Sequence, residues 1–196
     1  MSLIGYNETK SFAFPGIKKL KNSNDHYVFS TFKDNKINSQ PLSLMLSGNY
    51  YLIKNIIQNY DEIVMIGISG GGWYTTIISS LIPEINKSFS FAGTIPFVFK
   101  TKIENIGDWE QYASSIWDLY DYWDFYFLST LDSNGNLNRY HYQIYNINDD
   151  CCFRGKEVKL MENISKNIIR NDSLEFITLK HNGHKINTDF LFEKLK

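Results

Sequence analysis

One stretch constrains the fold more than any other: Glu62 to Pro83, which reads Glu-Ile-Val-Met-Ile-Gly-Ile-Ser-Gly-Gly-Gly-Trp-Tyr-Thr-Thr-Ile-Ile-Ser-Ser-Leu-Ile-Pro. Its near-continuous apolar run, Ile63, Val64, Met65, Ile66 and Ile68, suits a strand buried on both faces. The run ends in Gly67-Ile68-Ser69-Gly70-Gly71, and Tyr74, Ile77, Ile78 and Leu81 then recur at the spacing of one helix face before Pro83 closes the segment. A serine therefore stands between a buried strand and a packed helix.

Glycines at such a turn have several uses. A phosphate-cradling loop needs Lys followed by Ser or Thr after its last glycine, and Trp73-Tyr74 stand there. A dinucleotide fingerprint needs glycine where Ser69 stands. What remains is an idle serine in a glycine-rich turn, or a G-x-S-x-G turn that lifts a nucleophilic hydroxyl clear of the sheet. In the second case Gly67 and Gly71 are expected to be small to avoid clashes, Ser69 to hold a strained backbone, and the helix N-terminus to leave the Gly70 N–H free for an oxyanion.

The rest of the chain supplies a sheet for this turn. Strands are expected near 27–33, 62–68, 88–93, 140–147 and 174–180 from β-branched and aromatic runs closed by turn residues. Leu46, Tyr50, Ile53, Ile57 and Tyr60 mark a helix from about Pro41, Met161, Ile164 and Ile168 a second, and Phe190, Leu191 and Leu195 a closing one. This alternation predicts a mainly parallel α/β sheet with helices on both faces, in a single domain over residues 1–196. Between about 100 and 136 the pattern breaks into a ring-rich insertion holding Trp109, Trp117 and Trp123. It reads either as a lid whose tryptophans bind substrate or as the core of an enlarged crossover.

In open parallel sheets working groups collect beyond the carboxyl ends of the strands. Here three expected strands end in Ser69, in Asp149-Asp150 and, through His181-Asn182-Gly183, in His184. That order, serine then acid then histidine, resembles the α/β-hydrolase superfamily in its serine-esterase, lipase and peptidase branch, over roughly residue 27 to the end. The resemblance implies a trimmed hydrolase fold, Ser69 as nucleophile, His184 as general base, and Asp149 as the acid in preference to Asp150. His181 lacks the preceding glycine of the family's base, and His26 and His141 fall on strands. Family members have more strands before the serine turn and a His-Gly type loop that donates a second oxyanion N–H. No such motif occurs here, which leaves the loop around Phe32 to Asn35 for that task.

Composition narrows the partners. A net charge of −1, spread along the chain, gives neither a nucleic-acid footprint nor an anionic-membrane patch. No apolar run reaches the ~20 residues of a membrane span. Cys151 and Cys152 are adjacent and are expected as two small buried residues at a strand end in a reducing, cytoplasmic setting, rather than as metal ligands or a disulfide. The expectation is a serine carboxylesterase for a small-molecule ester or acyl substrate, with no cofactor and no metal. The alternatives are a peptidase or thioesterase, and a non-catalytic acyl-binding module on the same fold.

Overall fold

The computed structural model describes residues 41–112, 118–154, 156–168 and 172–195. The strand expected at 27–33 and the loop at Phe32 to Asn35 lie outside the described residues, as do His26 and Trp117.

Four strands, β1 (Val64–Ile68), β2 (Lys87–Phe91), β3 (Tyr140–Asn148) and β4 (Leu174–Asn182), form one sheet in the order β1-β2-β3-β4. Every pairing is parallel. All four carboxyl ends therefore point to one edge. The four expected strands that fall among the described residues are found within a few residues; β1 starts later and β2 stops earlier than expected, and the Ser69 N–H donates to the Phe91 carbonyl (2.9 Å) where the two strands end.

Five α-helices accompany the sheet among the described residues: α1 (Pro41–Ile56), α2 (Gly70–Leu81), α3 (Tyr122–Leu128), α4 (Lys156–Ile168) and α5 (Thr188–Leu195). The alternation of side chains along the strands divides the core in two. Leu174 and Phe176 join residues of α1 to α4 in a large cluster around Trp73, Ile77 and Ile78. Phe89, Phe91, Tyr142 and Ile144 turn the other way and are covered by Leu191 of α5, with Phe190 and Leu195 beside it. Helices thus lie on both faces. The single apolar stripe expected for α2 is too narrow a description: everything from Gly72 to Ser79 is buried, while Leu81 is exposed. The helix is wedged between the sheet, α1 and α3, where the Tyr74 hydroxyl donates to the Met45 carbonyl (3.0 Å) and the Trp73 indole N–H donates to the Tyr122 hydroxyl (3.2 Å).

Residues that a hydrophobic reading overlooks fill the space between α2 and the sheet. Gln143 donates to Thr76 Oγ1 (2.7 Å), Ser90 donates to the Gly72 carbonyl (3.0 Å), and the His141 ring lies between Ser88 Oγ (2.6 Å) and Gln143 Nε2 (2.8 Å). Burial, with the Arg139 charge nearby, pushes His141 down to about 3, so the ring is neutral. Arg139, itself buried, donates to the carbonyls of Ile85, Leu128, Leu131 and Ser79. It gathers chain ends at the amino-terminal pole of the sheet.

The insertion is built from short 3-10 turns at Phe97–Phe99, Ile103–Asn105 and Trp109–Gln111, followed by α3. A capping box starts α3, with Asp121 accepting from the N–H of its first turn and Asp124 accepting from the Asp121 N–H (2.8 Å). A small hairpin follows, bridged at Leu131 and Leu137, in which Asp132 accepts the N–H groups of Asn134 (2.8 Å) and Asn136 (2.9 Å) and Gly135 takes φ 80°.

Candidate active site

Ser69 is the last residue before α2 and stands at φ 57°, ψ −127°. A serine in that place ordinarily turns its hydroxyl onto the first helical N–H groups. Here the side chain makes no such bond. The positive φ, unfavourable for a residue with a Cβ, directs it elsewhere. The backbone is pinned on both sides: the Ser69 N–H donates to Phe91 and the Ser69 carbonyl accepts the Trp73 N–H (2.9 Å). Since that is the first bond of the helix, the N–H of Gly70 has no partner within it.

The glycines divide differently from the expectation. A Cβ on Gly67 would lie 2.1 Å from the Gly71 carbonyl oxygen and 2.6 Å from Thr75 Oγ1, so position 67 admits no side chain. A Cβ on Gly71 would meet nothing within 4 Å. The need for smallness falls instead on Gly72, where a Cβ would be 2.7 Å from the Phe91 carbonyl oxygen, and on Gly93, which passes against Gly72. The reason is tertiary, because the chain leaving β2 is laid across the first turn of α2.

At the ends of β3 and β4 the structure joins the acid to the histidine. His184 Nδ1 is 2.9 Å from Oδ2 and 3.1 Å from Oδ1 of Asp149. The Asp149 residue is 1 % exposed and also accepts the N–H of Cys151 (2.8 Å) and of Cys152 (3.1 Å) on Oδ1. A carboxylate so supplied with donors is fixed in orientation. Asp150 does a different task, accepting the backbone N–H of His184 (2.8 Å). Both acids thus grip one histidine, Asp149 by the ring and Asp150 by the main chain.

Asn146 was not anticipated. Its amide donates to the carbonyls of Gly183 (2.9 Å) and Lys185 (2.8 Å), clasping the chain on either side of His184. Gly183 sits at φ 83° and donates to the Asn148 carbonyl (3.1 Å), so the β4 turn is fastened to β3 by backbone as well. A polar residue near the carboxyl end of a strand is the signal that marks Asn146 in the sequence. His181 lies within β4, half-buried, and not in the loop.

His184 Nε2 is buried and has no hydrogen-bond partner among the described residues. Ser69 and His184 are thus brought to the same edge of one parallel sheet without a bond between them. Proton-transfer partners are often loosely placed until substrate arrives.

The cysteines differ from the expectation. Cys151 and Cys152 are joined in a disulfide, the first exposed and the second half-buried. The turn around the Asp149 carboxylate carries both of them beyond the strand end, where Cys152 still packs against the large core cluster and Cys151 faces solvent.

Among the tryptophans, the Trp123 ring packs with Phe99, Tyr126 and Phe176 at centroid distances of 6.5, 6.0 and 5.3 Å. It is engaged with the core. Trp109 opens the 3-10 turn at Trp109–Gln111. That turn reaches the carboxyl-end edge of the sheet, since the Gln111 amide donates to the Gly93 carbonyl (2.7 Å). The 3-10 turn at Ile103–Asn105 docks behind the acid, where the Arg154 N–H donates to Asn105 (3.1 Å) and the Phe153 N–H donates to the Glu104 carbonyl (3.1 Å). Lys100 lies between them with its Nζ 5.3 Å from the ring centres of both Tyr122 and Phe153, and burial pushes its ammonium down to about 7.

No helix among the described residues is long and apolar enough to cross a membrane. No protein-family model matches the chain, and no curated protein matches it.

Proposed function

We propose that this chain is a serine hydrolase on a trimmed α/β-hydrolase-like fold, acting on carboxylic esters through an acyl-enzyme at Ser69. The observation that carries the reading is the buried Asp149–His184 pair, with Nδ1 held 2.9 Å from the carboxylate and Nε2 left for a proton. The positive φ of Ser69 on the same sheet edge supports it.

In this mechanism the Ser69 Oγ attacks the ester carbonyl carbon while His184 Nε2 takes the hydroxyl proton. Asp149 keeps the Nδ1–H tautomer and stabilises the imidazolium. The Gly70 N–H faces the developing oxyanion, and the second donor is assigned to the loop at Phe32 to Asn35. The imidazolium then protonates the departing alcohol. Water, activated by the same nitrogen, releases the acid and restores Ser69. The substrate wall is assigned to the ring-rich insertion, through at least one of Trp109, Trp117 and Trp123. No cofactor enters this scheme.

A fluorophosphonate probe tests the reading, because it reacts only with an activated serine and makes no demand on the substrate. Labelling of the wild type and its loss in Ser69→Ala are expected; an unlabelled, folded wild type overturns the proposal. The missing bond between Ser69 and His184 favours one rival, a non-catalytic acyl-binding module. That rival predicts no labelling together with saturable binding of a fatty-acyl or short-acyl ligand. Amide and thioester cleavage are separated from ester cleavage by a substrate panel on the labelled protein.

A further inference from the structure

The turn that holds Asp149 carries two further ligand atoms. The sulfurs of Cys151 and Cys152 and a ring nitrogen of His184 lie within 4.8 Å of one another, with Cys151 exposed and the other two half-buried. Two thiolates and an imidazole are the donor set of borderline-soft d10 cations such as Zn2+ and Cd2+. Bonds of about 2.3 Å to sulfur and about 2.0 Å to nitrogen separate tetrahedral ligand atoms by roughly 3.5–4 Å, so the two sulfurs, once their bond is broken, move apart to that spacing while the ring nitrogen already lies within about 1 Å of it.

The frame beneath these atoms is firm. The N–H groups of both cysteines are tied to Asp149, and the chain around His184 is tied to Asn146 and Asp150. The ligands are therefore carried on two fastened turns, with the exposed Cys151 leaving a path from solvent.

We propose that, once the Cys151–Cys152 disulfide is reduced, Cys151, Cys152 and His184 bind a thiophilic divalent cation, and that occupancy stops proton transfer by His184. The second half rests on the hydrolase reading above; the binding itself does not. The electron balance is simple. A phosphine reductant gives two electrons to the sulfur–sulfur bond, and water supplies the oxygen of the resulting phosphine oxide and the protons of the two thiols. The cation then displaces both thiol protons, forms two metal–sulfur bonds and accepts the lone pair of a neutral imidazole, with no change in its own oxidation state. Either ring nitrogen serves the inhibition, since Nε2 is the proton carrier and Nδ1 is the atom that Asp149 holds.

The experiment is a titration of the full chain with Cd2+ after phosphine reduction, read by the ultraviolet thiolate-to-cadmium charge-transfer band and by proton release. One equivalent bound with two protons released is expected in the reduced protein, and no band in the oxidised protein. A reduced wild type without the band overturns the proposal, and this comparison needs no substitution that could unfold the chain. Cys151→Ser/Cys152→Ser should abolish the band. His184→Gln, with His184→Ala as the second variant, should weaken Cd2+ binding by roughly tenfold or more, because even lost supporting contacts around a metal cost that much. Equal affinity in a folded His184 variant overturns the three-ligand site. Fluorophosphonate labelling should stop on Cd2+ addition and return with a chelator; labelling at full rate with the cation bound overturns the inhibitory half. If the metal-free protein is not labelled, the hydrolase reading falls, and the spectroscopic titration still decides the site.

Discussion

Asp149 and Asp150 are neighbours with opposite surroundings, one buried against the His184 ring and the other exposed against the His184 main chain. Their substitutions should separate accordingly. Asp149→Asn should lower turnover on the order of 10^4-fold by stabilising the wrong tautomer. Ser69→Ala and His184→Ala should each cost on the order of 10^6-fold. Asp150→Asn keeps an acceptor oxygen for the His184 N–H and should cost far less; ester-hydrolysis kinetics on the four variants check the order. The preference for Asp149 came from the resemblance and not from the strand pattern, because the end of β3 depends on a register irregularity between Asn146 and Asn148 in its pairing with β4. The serine was legible, since a buried run, a G-x-S-x-G turn and a helical stripe are all local. The glycines were legible only in part. Gly67→Ala should destabilise by about 3 kcal/mol or more, as its Cβ meets rigid backbone. Gly71→Ala should be neutral or stabilise by up to about 1 kcal/mol, as an open helical position favours alanine. Chemical denaturation of the two variants measures the contrast.

At the scale of the element, β3 is unusual in sending His141, Gln143 and Tyr145 into the space under α2 while Tyr142 and Ile144 pack on the α5 side. The alternation was readable as a strand, but the polar half was not readable as interior, because Thr76 of α2, Ser88 of β2 and Thr94 beyond β2, which give it partners, are distant in sequence. The buried His141 has a consequence for pH. Its folded-state value, about 3, lies below the ordinary 6.5, so between these limits the unfolded chain takes a proton that the folded chain refuses. The neutral ring's contribution is complete above about pH 6.5 and is lost as pH falls toward 3. At pH 4.5 this amounts to a few kcal/mol. The fall in thermal midpoint between pH 7.5 and pH 4.5 should therefore be smaller in His141→Gln than in the wild type, whatever the variant's stability at neutral pH.

For the whole molecule, the two poles of the sheet have separate occupations. The carboxyl-end pole carries Ser69, Asp149, His184 and the docked turns of the insertion; the amino-end pole is drawn together by the guanidinium of Arg139 on four carbonyls from three chain segments. Arg139→Met should destabilise by about 3 kcal/mol or more, since it leaves buried acceptors without donors, and Arg139→Lys should recover little because a single ammonium cannot reproduce the fork. Urea unfolding of both variants checks this, and probe labelling of whatever remains folded should be unaffected. The parallel sheet with helices on both faces followed from hydrophobic pattern, while this arginine did not, as one cation in a sequence says nothing of the carbonyls that converge on it.

The hairpin bridged at Leu131 and Leu137 belongs to that second pole. Its tip is held by Asp132 within its own turn, and residues 133–138 are exposed. Because β3 begins just after it and runs the length of the sheet before reaching Asp149, the tip stands a full strand away from the edge that holds Asp149 and His184. Such a place accepts foreign sequence: an epitope or fluorescent reporter spliced between Ser133 and Gly135 can immobilise or track the protein while leaving the mouth of the serine site clear.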